Sequence, residues 1–171
     1  MSFDWQDIKP HDMKTRVAKD TQPSMELLQG LHGKRVLDFG CGYGRNLAFL
    51  AKESFCTGYD YPNFIQVAKN FLGTLSERVN FIEVGEALGD YDVAIACFVF
   101  QHMRSLELDA MLFCLSKHVK ELRVLDKDFM DGSPHPHDGT LVHILSYFKP
   151  VRIESVVYDG KYHYLGVFVP I

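Results

Sequence analysis

Along Val36-Leu37-Asp38-Phe39-Gly40-Cys41-Gly42-Tyr43-Gly44 an apolar run ends in an acid, and three glycines follow at every second position. Helix-like sequence resumes at Arg45 with Asn46, Leu47, Ala48, Phe49, Leu50 and Ala51. A strand that passes into a helix through glycines lets a ligand lie directly against the backbone, because no Cβ stands in the way. The chemistry this allows is capture of a nucleotide-type cofactor. A dinucleotide loop normally reads G-x-G-x-x-G, with its third glycine at the place where Arg45 stands here. Asp38 lies two residues before the first glycine. A carboxylate there suits a cationic ligand and would repel a pyrophosphate. A glycine-rich turn with no ligand would carry the same residues, and short glycine motifs are prone to such matches.

The elements that position these residues must come from a chain of 171 residues, enough for one domain with a full core. Hydrophobic residues make up 47% and charged residues 23%, a globular rather than disordered balance. Net charge is −4, and no basic run stands out, which argues against a nucleic-acid partner. No apolar run approaches a membrane span. The acidic, mixed start Ser2-Phe3-Asp4-Trp5-Gln6-Asp7 does not read as a signal peptide. Cys41, Cys56, Cys97 and Cys114 stand singly, with no C-x-x-C pair, so neither a disulfide framework nor a zinc site is indicated. A reducing cytoplasm is the simplest setting. Nothing in the residues fixes an oligomeric state.

Strand and helix signals alternate, which implies an α/β, mainly parallel sheet covered on both faces. A polar arm over 1–20 precedes a domain over 21–171. The first helix starts near Thr21 or Ser24, with Pro23 in its first turn, carries Met25, Leu27, Leu28 and Leu31, and ends at Gly30 and Gly33. Strands follow at 35–39, 56–60, 79–84 and 93–100, the last almost wholly apolar, as a central strand should be. Pro62 opens a helix with Phe64, Val67, Ala68, Phe71 and Leu72 on one face. Ser105 caps another that buries Leu108, Met111, Leu112, Leu115 and Val119. A fifth strand spans 121–125, with Asp126 just past its end, and a loop runs over 127–138. A helix over 140–148 is stopped by Pro150. Strands at 151–158 and 162–169 form a hairpin turning at Asp159-Gly160.

The glycine segment resembles motif I of the class I S-adenosylmethionine (SAM)-dependent methyltransferases, D/E-x-G-x-G-x-G, with Asp38, Gly40, Gly42 and Gly44 in the four fixed places. Later segments continue the pattern in order over roughly residues 24 to 169. The resemblance implies a single doubly wound sheet of seven strands, order 3-2-1-4-5-7-6, strand seven antiparallel, with helices on both faces. Ligands of such open sheets bind beyond the strand carboxyl ends, where strand order reverses.

The resemblance also implies roles for single residues. Asp38, Gly40, Cys41, Gly42 and Gly44 would contact SAM. Asp60, twenty residues after Gly40, would accept hydrogen bonds from both ribose hydroxyls, a feature shared with NAD enzymes; an exposed turn acid is the plainer reading. Tyr61 would lie against the adenine face, or be a surface tyrosine. Gly85-Glu86-Ala87 stands where the family often has Gly-Asp-Ala. Glu86 would take the adenine amino group and the Ala87 N–H the ring, and Glu86 departs from the pattern by one methylene. Cys97-Phe98-Val99-Phe100-Gln101-His102-Met103 resembles the small-molecule branch, where a histidine follows strand four. Cys97 would offer backbone groups to the methionine moiety. Gln101 and His102 would face the transferring methyl or the acceptor as the catalytic pair. A histidine with pKa near 6.5 suits general-base work; a structural hydrogen bond at the helix entry is the alternative.

His135-Pro136-His137-Asp138 makes a weak metal motif with no second cluster, so no metal is expected. Phe3, Trp5 and Ile8 in the arm pack on the core or fold over the cofactor mouth as a lid. The function expected is in-line transfer of a methyl from SAM to a small-molecule acceptor. The rivals are a protein methyltransferase, a SAM-binding regulatory protein without activity, and an NAD-linked reductase weakened by Arg45.

Overall fold

Apolar strands flanked by helices of matching amphipathic spacing resolve into one seven-stranded sheet. A computed structural model describes residues 24–127, 140–158 and 161–171. The arm over 1–20, the helix start at Thr21 and Pro23, the His135–His137 loop and the Asp159-Gly160 turn lie outside the described residues. The strands are β1 Arg35–Phe39, β2 Phe55–Asp60, β3 Val79–Glu83, β4 Tyr91–Cys97, β5 Val119–Lys127, β6 Phe148–Tyr158 and β7 Lys161–Pro170. The helices are α1 Met25–Leu28, α2 Arg45–Glu53, α3 Pro62–Leu72, α4 Ser105–His118 and α5 Thr140–Tyr147. The strand order is β3-β2-β1-β4-β5-β7-β6, as expected. β7 runs antiparallel to β5 and β6. Among the described residues no helix is long and apolar enough to cross a membrane. The chain divides into two compact units, up to Leu88 and from Gly89.

In the first unit β2 pairs in parallel with β1 and β3, in the registers Phe39↔Tyr59 and Asp60↔Glu83. Val36 and Leu37 of β1, Leu47 and Leu50 of α2 and Ile65 and Ala68 of α3 are buried together with Leu27, Leu28 and Leu31. The apolar stripe of α3 is rotated from the expected one: Ile65 is buried, while Phe71 is 37% exposed and meets Tyr43 edge-on. α1 is a single turn, shorter than its apolar spacing implied, because Gly30 and Gly33 both take positive φ. Gly58 in β2 is required by contact. A Cβ there would stand 2.8 Å from Leu47 Cδ1 and 3.1 Å from both Cys41 Sγ and Phe81 Cδ1.

In the second unit β4 is apolar and buried from Val93 to Ala96, as a strand covered on both faces must be. It stops at Cys97 and not at Phe100, because Phe98 takes φ 58° and residues Phe100–His102 form a 3₁₀ turn. β5 is longer than expected at both ends. Its pairing with β7 carries Asp126 opposite Tyr164 and Lys127 opposite His163, so Asp126 lies inside the strand. Its charged residues find partners, Arg123 with Glu121 at 2.6 Å and Lys120 with Asp92 at 2.8 Å. The α4 cap falls on Arg104 and not Ser105; the Arg104 N–H donates to the Glu107 carboxylate at 3.3 Å. The last helix ends one residue early, and Phe148 begins β6. Pro150 sits within β6, which an edge strand tolerates, next to a register shift between Pro150 and Arg152.

Gly58→Ala is expected to lower stability by roughly 1–3 kcal/mol, the cost of forcing a methyl into a packed interior. A thermal melt checks this; an unchanged melting temperature would mean that Leu47 and Cys41 yield freely.

Candidate functional site

The carboxyl ends of β1, β2 and β3 bring most of the expected cofactor residues together in the first unit. β1 delivers Asp38 and ends at Phe39, whose ring stacks on Tyr59 at 5.1 Å. The chain then turns through Gly40, Gly42 and Gly44, with φ of 69°, 54° and 88°, a left-handed path that side-chain-bearing residues avoid. The turn is fastened to the end of β2. The N–H groups of Gly40 and Cys41 donate to the Tyr59 carbonyl at 2.9 and 3.2 Å. The Gly42 N–H donates to Asp60 Oδ2 at 2.7 Å, and the Tyr61 N–H to Asp60 Oδ1 at 2.8 Å. A Cβ on Gly42 would meet nothing within 4 Å, so the space beside the turn is open.

Asp38 is 1% exposed, and its Oδ2 has no hydrogen-bond partner. Burial pushes its carboxyl up to about 7, against the opposing pull of Arg45; the Asp60 charge adds to the rise, and a hydrogen bond from the Asn46 side chain lowers it. Asn46 is itself buried and uses its Oδ1 to accept the Ser24 N–H at 3.1 Å, so its amide links α1, α2 and β1. Asp60 is pushed up to about 6 by burial, which outweighs its two backbone hydrogen bonds. Each Asp60 oxygen keeps a second lone pair, so the carboxylate can hold the turn and still accept from a ligand. The Cys41 thiol is buried and pushed well above its usual range by that burial, which leaves it a small packed group and not a nucleophile.

Tyr61 is half-buried and precedes Pro62 at the start of α3. Past β3 the Val84 N–H donates to the Asp60 carbonyl at 3.1 Å, which ties the Gly85-Glu86-Ala87 turn to the same strand end. Glu86 and Ala87 are exposed. The Glu86 Oε2 accepts the Glu83 N–H at 2.6 Å, so one carboxylate oxygen closes its own turn.

Cys97, Gln101 and His102 belong to the second unit. Cys97 ends β4 half-buried, Gln101 is half-buried and His102 is exposed. The Phe98 N–H donates to the Leu125 carbonyl at 2.8 Å, and the Phe98 ring meets His163 edge-on at 5.1 Å. The Gln101 N–H donates to Asp126 Oδ2 at 3.1 Å. The Gln101 side-chain nitrogen lies 3.4 Å from the Phe98 carbonyl and 3.0 Å from His102 Nε2, while its Oε1 is buried without a partner. Asp126, His163 and Tyr164 are buried beside this turn, and burial with the Asp126 charge pushes the Tyr164 phenol well up. Sequence reasoning missed Asn46, Asp126 and Tyr164. For Asp126 a signal existed: an acid closing an apolar strand, as at Asp38 and Asp60. Among the described residues no group of three or more His, Cys, Asp or Glu could hold a metal ion.

A buried carboxylate with one oxygen unpartnered, a ligand-open glycine turn and a second carboxylate with spare lone pairs suit a cation joined to a hydroxyl-bearing sugar. The chain is similar in structure to magnesium protoporphyrin IX methyltransferase from Synechocystis with bound SAM (TM-score 0.67, 19% identity, 95% of this chain and 79% of that one). It is also similar to a TehB-like SAM-dependent methyltransferase from Corynebacterium glutamicum (TM-score 0.72, 15% identity, 95% of this chain and 100% of that one). A third similar structure is a putative O-methyltransferase from Nostoc punctiforme (TM-score 0.70, 14% identity, 94% of this chain and 58% of that one). These likenesses show the fold. No curated protein matches the sequence. The model of the methyltransferase-domain family matches residues 11–153, most of the chain, and the protein therefore belongs to that family.

Proposed function

We propose that this protein transfers a methyl group from SAM to a small-molecule acceptor by in-line displacement. The observation that carries this reading is the buried Asp38 carboxylate with Oδ2 unpartnered, next to a glycine turn with open space at Gly42. An orphaned buried acceptor costs stability, and a ligand ammonium would supply the missing donor. SAM supplies a methyl already activated on a sulfonium. Asp38 would hold the cationic end, and the backbone from Gly40 to Gly44 would lie against the cofactor. Asp60 would take the ribose hydroxyls on its remaining lone pairs, with Tyr61 and the Glu86-Ala87 turn at the adenine. Cys97 would offer backbone groups to the methionine moiety, and Gln101 and His102 would stand on the acceptor side. With so reactive a donor, the chain's main tasks are alignment and exclusion of water. The small-molecule acceptor is supported by a structural neighbour that is named for magnesium protoporphyrin IX, and by the absence of any basic run in the sequence. Calorimetry with SAM, S-adenosylhomocysteine and NAD, followed by a metabolite screen for S-adenosylhomocysteine release, tests the reading. Binding of the first two and release with a small molecule are expected. NAD binding without SAM, or turnover on protein substrates alone, would contradict it.

Three variants probe the residues. Gly42→Val should abolish SAM binding in a folded protein, because a branched side chain would fill the open space and resist the backbone angle. Asp60→Ala should weaken SAM binding by about 1–3 kcal/mol or more, through unpaired ribose hydroxyls and the loss of the Gly42 anchor of the turn, read by calorimetry. Asp38→Asn separates stability from function. Folding raises Asp38 from 3.8 to about 7, so the folded protein holds this proton more tightly than the unfolded chain. The stability thus gained is complete below about pH 4 and lost as pH rises to about 7. Ligand-free Asp38→Asn should therefore outlast the wild type in a melt at pH 8, yet bind SAM more weakly. A variant less stable at pH 8, or one with full affinity, would remove Asp38 from this role.

A further inference from the structure

The turn after β4 holds a strained backbone conformation. Phe98 is the one non-glycine among the described residues with positive φ, a conformation that is a genuine outlier for a bulky side chain. Strain of this kind persists only where the surroundings over-determine it, and such residues gather at functional sites. The surroundings here are β5 and β7. Leu125 takes the Phe98 N–H, Asp126 takes the Gln101 N–H, and His163 packs edge-on against the Phe98 ring. Asp126 is 1% exposed, an expensive place for a carboxylate, and it accepts the Gln101 backbone N–H there.

The anchored residue then fixes its neighbour. The Phe98 carbonyl can only accept, so the Gln101 atom facing it is the amide nitrogen. That nitrogen also meets His102 Nε2 at 3.0 Å, and two donors cannot face each other. His102 Nε2 is therefore the accepting, unprotonated nitrogen, and the neutral ring carries its proton on Nδ1. A chain of contacts runs from Asp126 through the Gln101 backbone and amide to one nitrogen of His102.

We propose that Asp126 is a positioning residue: from β5 it fixes the strained turn after β4, and through Gln101 it sets the orientation and tautomer of His102. A part for this device in methyl transfer rests on the function proposed above; the control of His102 by Asp126 does not. The Gln101 N–H needs only an acceptor, so an isosteric amide that presents a carbonyl oxygen can hold it as the carboxylate does.

Long-range ¹H–¹⁵N correlation spectra of the full chain at pH 8 read the His102 tautomer directly, with His102→Ala assigning the signals. The wild type should show the Nδ1–H form. Asp126→Ala should move His102 toward the mixed tautomers of a free imidazole, and Asp126→Asn should keep the wild-type pattern. If Asp126→Ala does not fold, Asp126→Glu takes its place, since one extra methylene displaces the acceptor; it too should shift His102. Wild-type His102 signals in the Ala or Glu variant would overturn the proposal. A shift in Asp126→Asn as large as in those variants would overturn it as well, by showing that charge and not hydrogen-bond acceptance is at work. Calorimetry with S-adenosylhomocysteine on the wild type separates the two readings. A lack of binding would count against the proposed function, while the His102 spectra would still decide the role of Asp126.

Discussion

The glycine turn holds its shape because the end of β2 holds it. The Tyr59 carbonyl takes two of its N–H groups and the Asp60 carboxylate a third. The three left-handed glycines have no side chains to fix them, and glycine loses more entropy on ordering than any other residue. External hydrogen bonds must therefore define the turn. The parallel pairing of β1 with β2 brings the two strand ends level, and Gly58 lets Leu47 and Cys41 approach closely enough for the bonds to form. The same strand end takes the Val84 N–H and so sets the start of the turn that follows β3.

This arrangement leaves the ligand-free protein with two carboxyl groups that burial pushes up, to about 7 at Asp38 and about 6 at Asp60. They differ in kind. Asp60 is satisfied by backbone donors and has structural work to do without a ligand. Asp38 is satisfied on one side by Asn46 and left open on the other. The open acceptor is a local defect in the folded state and an advantage only when a cation arrives. Stability and binding thus pull in opposite directions at one residue, as expected where a site is preorganised.

Much of this was legible in the sequence. The period of the apolar residues gave the alternation of elements, and Asp38, the glycines and Asp60 could be placed at strand ends from their spacing. The strand order was not in the periodicity and came from resemblance. Three features escaped for physical reasons. The β4 exit reads as unbroken strand because Phe98, Val99 and Phe100 are all good strand formers; the positive φ at Phe98 is imposed by tertiary contacts. The full length of β5 was hidden by its charged residues, which are accommodated by partners distant in the sequence such as Asp92. Asn46 looks like an ordinary polar residue in a first helical turn, and only packing reveals that it is buried between Ser24 and Asp38.

The central claim is that the buried Asp38 carboxylate receives the cationic end of the ligand. A ligand cation requires the ionised form, whereas below about pH 7 the free protein holds the proton. Binding must therefore expel it. Calorimetry of S-adenosylhomocysteine binding at about pH 6, in buffers of differing ionisation enthalpy, counts the protons exchanged. Release of roughly one proton or more per ligand is the predicted result, with Asp60 adding to it in the same direction. Binding with no proton release, or with uptake, would contradict the account.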